Sequence, residues 1–125
     1  MKPAMSAGIA AALLFACVLS PASAQTAKNV RFLVGSPAGG SNDIFARAIG
    51  QRLTEALGQP VVVDNRPGAS QMIAADITAK AAPDGNTLYM TSTTYTTGAA
   101  LMTKLPFDPI NDLAGVTMIA RGPMV

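Results

Sequence analysis

The chain contains no histidine and no tryptophan, and its single cysteine, Cys17, lies close to the N-terminus. These absences exclude much chemistry. Zinc, copper and haem sites rely on His and Cys ligands, so no metal or cofactor is expected. A Ser-His-Asp triad or a Cys-His pair cannot be assembled from this chain alone. Charge is scarce as well: nine Lys and Arg stand against seven Asp and Glu, for a net charge of +2 over 125 residues. There is no basic run and no aromatic interleaving, hence no case for nucleic acid.

What is present begins with a leader. Lys2 supplies a short positive region, residues 7–19 are apolar, Ser20-Pro21 breaks the run, and Ala22-Ser23-Ala24 forms an A-x-A cleavage site. This order is that of a cleavable secretory signal over residues 1–24, with cleavage after Ala24. A membrane anchor is the rival reading, but an anchor usually needs about 20 apolar residues. Leu14-Phe15-Ala16-Cys17 resembles a lipoprotein box. Phe15 is bulky where such boxes are small, and the apolar run continues past Cys17. Cys17 therefore reads as discarded with the leader, which leaves residues 25–125 without a disulfide. These amount to about 100 residues, one small domain at most.

Downstream, short β-rich runs alternate with helical patterns. Val30-Arg31-Phe32-Leu33-Val34 reads as a strand ended by Gly35 and Pro37. Residues 42–57 read as a helix, with Ser41 or Asn42 as cap and Phe45, Ile49, Leu53 and Leu57 as its apolar stripe. Gly58 is the expected stop, and Gly50 hints at close packing. Val61-Val62-Val63 predicts a second strand, closed by Asp64-Asn65-Arg66-Pro67-Gly68. Residues 70–81 read as a helix with Ser70 as its cap and Ile73 and Ile77 on one face. Thr87-Leu88-Tyr89-Met90-Thr91 predicts a third strand. A short helix over 96–103, one helical turn near 109–113 and a fourth strand over 116–120 complete the expectation. Strand–helix alternation of this kind gives an α/β fold with a parallel sheet flanked by helices.

In such sheets ligands bind at the carboxyl ends of the strands. The corner Ser36-Pro37-Ala38-Gly39-Gly40-Ser41 leads straight into a helix start, where free N–H groups and the dipole suit an anion. No Lys follows Gly40, so this is not a Walker loop, and the glycine spacing is not the dinucleotide fingerprint. A small carboxylate fits better than a phosphate. The competing reading is a turn that merely needs glycine. Ser92, Thr93 and Thr94 offer hydroxyls to a ligand or cap a helix. Asp43 reads as a cap and loop brace, and Arg47 and Arg66 as structural ion pairs or carboxylate partners. Tyr95 lines a cleft or packs.

Four motifs in order carry a family resemblance: Pro37-Ala38-Gly39-Gly40-Ser41 with Asp43 and Arg47; Leu57-Gly58-Gln59-Pro60-Val61-Val62-Val63 with Asn65-Arg66-Pro67-Gly68-Ala69; Ala81-Ala82-Pro83-Asp84-Gly85 with Thr87-Leu88; and Leu105-Pro106-Phe107-Asp108-Pro109 with Asp112-Leu113. The chain resembles the extracytoplasmic solute receptors of tripartite tricarboxylate transporters, the Bug family of periplasmic binding proteins. The resemblance implies a periplasmic, two-lobed, non-enzymatic receptor of the type II binding-protein fold. It implies capture of a small carboxylate for the membrane subunits of a transporter. Residues 25–125 correspond to the first lobe, incomplete and without the second. By resemblance, the loops at Ser36, Pro37, Ala38, Gly39, Gly40 and Ser41 and at Ser92, Thr93 and Thr94 contact the ligand, and Asp43 holds the first loop. The chain departs from the family where it carries Gly35-Ser36 in place of Pro and an aromatic. It departs again at Ser70-Gln71-Met72, where the family often has Gly-Gly-Asn, and it lacks an Asn-Pro pair near Gly98-Ala99. The alternatives are a non-binding remnant, or a subunit of an enzyme whose catalytic groups lie on another chain.

Overall fold

A computed structural model describes residues 28–122. The expected leader, its cleavage site and Cys17 lie outside the described residues. The elements run β1 (Val30–Val34), α1 (Ser41–Leu57), β2 (Val61–Asn65), a 3-10 turn (Ala69–Gln71), α2 (Met72–Ala79), β3 (Thr87–Met90) and α3 (Thr93–Leu101). The three strands form one parallel sheet in the order β2-β1-β3. β1 is central, and accordingly its Val30, Phe32, Leu33 and Val34 are all buried.

Side chains alternate across the sheet and separate two apolar layers. On one face Phe32, Val34 and Met90 meet Ala46 of α1, with Ile49, Val61, Val63 and Leu88 around them. On the other, Met72 and Ala75 of α2 gather Phe107, Tyr89, Tyr95 and Ala99 of α3, and Leu113. The two crossover helices thus leave on opposite faces, which makes the gap between the ends of β1 and β3 the topological switch point of the sheet.

The expected stripe of α1 is displaced by about one residue. The buried positions are Asp43, Ala46 and Gly50, whereas Phe45 and Leu57 are about half exposed. Two contacts fix this rotation. Asp43 reaches back to the Gly39 N–H, and Gly50 lies against β2, where an added Cβ would stand 3.4 Å from Val61 Cγ1. Thr54 completes the seam, donating to Gly50 O at 2.8 Å and accepting the Val61 N–H at 3.1 Å. Gly58 stops the helix as expected, with φ 65° and its N–H on Thr54 O.

Other expectations are corrected. α2 is shorter than 70–81 and buries Met72, Ala74 and Ala75, while Ile73 is exposed. Ser70 does not cap it, because Ser70 sits in a left-handed turn. α3 begins at Thr93 rather than 96, its Gly98 pressed against Ser70. Residues 109–111 turn through an Asp112 N–H to Asp108 O bond. No fourth strand forms over 116–120: among the described residues this run joins no ladder, and Val116 is 82% exposed. A strand is stable only against a neighbour that takes its hydrogen bonds.

Candidate functional site

Val34 of β1 pairs with Met90 of β3, so the two strands end at one level and their following corners lie side by side. The first corner turns on Gly39, whose φ of 83° only glycine adopts without strain. Gly40 N–H closes back on Pro37 O at 3.2 Å, and the first helical bond runs from Ile44 N–H to Gly40 O at 3.0 Å. That leaves the N–H groups of Ser41, Asn42 and Asp43 without helical acceptors. Neither Ser41 nor Asn42 caps the helix: the capping position belongs to Gly40, which has no side chain to do so.

Asp43 is the brace that the sequence suggested. It is buried, and its Oδ2 accepts the Gly39 N–H at 2.8 Å and Arg47 Nε–H at 3.0 Å. The Arg47 and Gly39 bonds hold its carboxyl down at about 2. Arg47 also donates to Asn65 Oδ1 at 3.2 Å, and Asn65 Nδ2 donates to Ser36 O at 3.1 Å. The corner is therefore tied to the end of β2 as well as to its own helix. Ser36 Oγ and Asp43 Oδ1 are buried without a protein partner among the described residues.

The second corner is the strained one. Gly68, Ala69, Ser70 and Gln71 all have positive φ, at 129°, 45°, 53° and 72°. Three consecutive non-glycine residues in this region cost of order 1 kcal/mol each. The reward is placement. Gln71 is buried, its Nε2–H donates to Ser92 Oγ at 2.8 Å, and its backbone O accepts the Tyr89 hydroxyl at 3.1 Å. Gln71 thereby joins the second corner to the third. Sequence reasoning missed it, since no propensity marks a glutamine for a left-handed turn.

At the third corner Ser92 occupies the capping position of α3 with extended dihedrals, φ −140° and ψ −177°, yet makes no side-chain cap. Thr93 and Thr94 open the helix and are exposed. The structure thus gathers Ser36, Pro37, Ala38, Gly39, Gly40 and Ser41 with Asp43 at one corner, and Ser92, Thr93 and Thr94 at the neighbouring one. It does not bring Tyr95 or Arg66 there. Tyr95 packs in the α2 layer and donates to Pro109 O at 3.1 Å. Arg66 and Arg31 share the Asp64 carboxylate, at 2.8 and 2.6 Å. Burial opposes ionisation of Asp64, but the two guanidiniums outweigh it and hold the group below its usual range. Among the described residues no cluster of His, Cys, Asp or Glu is built to hold a metal.

The signature of the tripartite tricarboxylate transporter family receptor matches residues 45–125. That stretch includes the second and third corners; the first precedes it. Protein BugT of Bordetella pertussis is 41% identical over 112 residues, covering 86% of this chain and 34% of that protein. A solved structure described as a periplasmic transporter is 42% identical with a TM-score of 0.61, over 70% of this chain and 30% of its own. MatC from Rhodopseudomonas palustris with bound malate is 36% identical with a TM-score of 0.59, over 67% of this chain and 29% of its own. The expected fold class stands: a parallel three-stranded sheet flanked by helices, similar to part of a periplasmic binding protein. The chain spans about a third of the length of the curated relatives it matches.

Proposed function

This chain belongs to the tripartite tricarboxylate transporter receptor family, and from that premise we propose that it is the first-lobe portion of a periplasmic receptor that captures a small carboxylate. Its partners are then the membrane subunits of a tripartite transporter, and its role is capture, not catalysis. The observation that carries the reading is that α1 and α3 start side by side at the switch point, and neither start is capped by a side chain. Uncapped helix starts leave N–H donors and the positive dipole ends for an anion. The neighbour described with bound malate supports the carboxylate class.

The ligand residues of this reading are Ser36, Pro37, Ala38, Gly39, Gly40 and Ser41, with Asp43 holding their loop, and Ser92, Thr93 and Thr94. A single lobe leaves half of a ligand's polar groups in water, where a new hydrogen bond gains little over hydration. A two-lobed receptor of micromolar affinity binds with about −8 kcal/mol; half of that is millimolar. Calorimetry of the chain against di- and tricarboxylates and amino acids tests this. Millimolar binding of carboxylates is expected. A micromolar constant from a monomeric chain rules out the need for a second lobe, and no binding at tens of millimolar favours the non-binding remnant.

The leader belongs to the same proposal. Export to the periplasm with cleavage after Ala24 gives a mature chain beginning at Gln25, which N-terminal sequencing reads directly. A lipid-carrying Cys17 at the new N-terminus overturns it.

A further inference from the structure

Gln71 and Asp43 are the buried polar residues among those described. Asp43 braces its own loop, whereas Gln71 acts on a neighbour. We propose that Gln71 sets the polarity of Ser92: its amide N–H takes one lone pair of the Ser92 hydroxyl and so turns the hydroxyl proton away from Gln71 and toward a ligand carboxylate. This rests on reading the paired corners as a carboxylate site, and it names the residue that makes the third corner a donor.

A serine hydroxyl offers one proton and two lone pairs. A serine in the capping position ordinarily accepts an N–H from the second or third residue of its helix. Ser92 has the extended backbone of a cap but makes no such bond. Its Oγ instead receives Gln71 Nε2–H at 2.8 Å. With one lone pair engaged by Gln71, the O–H is left to donate, and the first N–H groups of α3 keep no side-chain acceptor. The third corner then presents a hydroxyl proton beside backbone N–H groups, which suits an ionised carboxylate.

The amide is held the right way round. The Tyr89 hydroxyl shares its one proton between Gln71 O at 3.1 Å and Gln71 Oε1 at 3.4 Å, so the oxygen end of the amide faces part of that donor. Burial pushes the Tyr89 hydroxyl up to about 12, which keeps it protonated. The backbone is clamped too: Gln71 N–H bonds Gly68 O at 2.9 Å, and Gly35 leaves the space that the Gln71 side chain fills. Strained dihedrals persist where surrounding contacts over-determine them, as they do at this residue.

The test uses the full 125-residue chain, with malate as probe and amide NMR as readout. In the absence of ligand, one Gln71 side-chain amide proton exchanges slowly with water, and Ser92→Ala abolishes that protection. On titration, the Thr93 and Thr94 amides shift. Gln71→Met, of equal length, neutral and without a donor, weakens malate binding about tenfold, the scale of one hydrogen bond to a charged group. Ser92→Ala weakens it comparably, and Gln71→Met adds little in the Ser92→Ala background. Gln71→Leu gives the same comparison if Gln71→Met fails to fold by circular dichroism. Unchanged affinity in a folded Gln71 variant, or losses that simply add, overturns the role of Gln71 while leaving the carboxylate site intact. No response of the wild-type corners to malate overturns both.

Discussion

A side chain on Gly35 and the side chain of Gln71 cannot occupy the molecule together. A Cβ built on Gly35 would stand 2.5 Å from Gln71 Cβ and 2.9 Å from Gln71 Cγ. The end of β1 is bare so that the second corner can fold over it and reach Ser92. Glycine at 35 and glutamine at 71 therefore depend on one another: the first corner leaves the room that the second fills.

Gly35→Ala should accordingly destabilise the chain by about 1–3 kcal/mol, the usual cost of overpacking. The same substitution combined with Gln71→Gly should cost less than the sum of the two single changes, because residues in contact couple. Denaturant melts of the four proteins measure the coupling. Strict additivity would show that the contact is absent.

Gly39→Val should separate binding from folding. A Cβ at Gly39 meets nothing within 4 Å, so the fold survives, but the φ of 83° strains a branched residue. A stability loss of about 1–3 kcal/mol is expected. The carboxylate response of the Ser41, Asn42 and Asp43 amides should vanish in the folded variant. Folding and binding lost together would return the corner to a simple turn.

The pH dependence of the first corner follows from Asp43. Arg47 and the Gly39 N–H hold its carboxyl down at about 2, below its ordinary 3.8. A carboxylate with a depressed pKa stabilises the fold above its unfolded value and loses that contribution as pH falls through the folded value. The brace should be fully present above about pH 4 and fail toward pH 2. The Gly39 amide shift, followed from pH 6 to pH 1.5, should show a midpoint near 2. A midpoint near 4 would mean that Asp43 does not hold the loop. Asp84 is likewise held down at about 2 by Lys28 and contributes in the same window. That pair is exposed enough to matter less.

Ala69→Gly should be neutral or stabilising by up to about 1 kcal/mol, where the same change in a helix costs that much. Ala69 has a φ of 45°, which glycine adopts freely. Thermal melts decide it. A clear loss of stability would show that the left-handed turn is not the ground state of this segment.

The sequence by itself determined the order of elements, the parallel α/β class and the position of the first corner. These follow from local physics: β-branched runs at Val61-Val62-Val63, a helical period over 42–57, and glycine where the chain must turn at Gly39 and stop at Gly58. It also marked Asp43 as a brace, because a carboxylate in the first helical turn has few other uses. Only the tertiary structure decided which face of α1 is buried, since small residues at Ala46 and Gly50 let the helix close on β2 more tightly than the larger Phe45 and Leu57 would. Only it denied residues 116–120 a strand, because pairing depends on a neighbour that the local pattern does not encode. And only it placed Gln71. Three successive non-glycine residues in a left-handed turn contradict every local preference, and contacts with Gly35, Tyr89 and Ser92, all distant in sequence, hold them there.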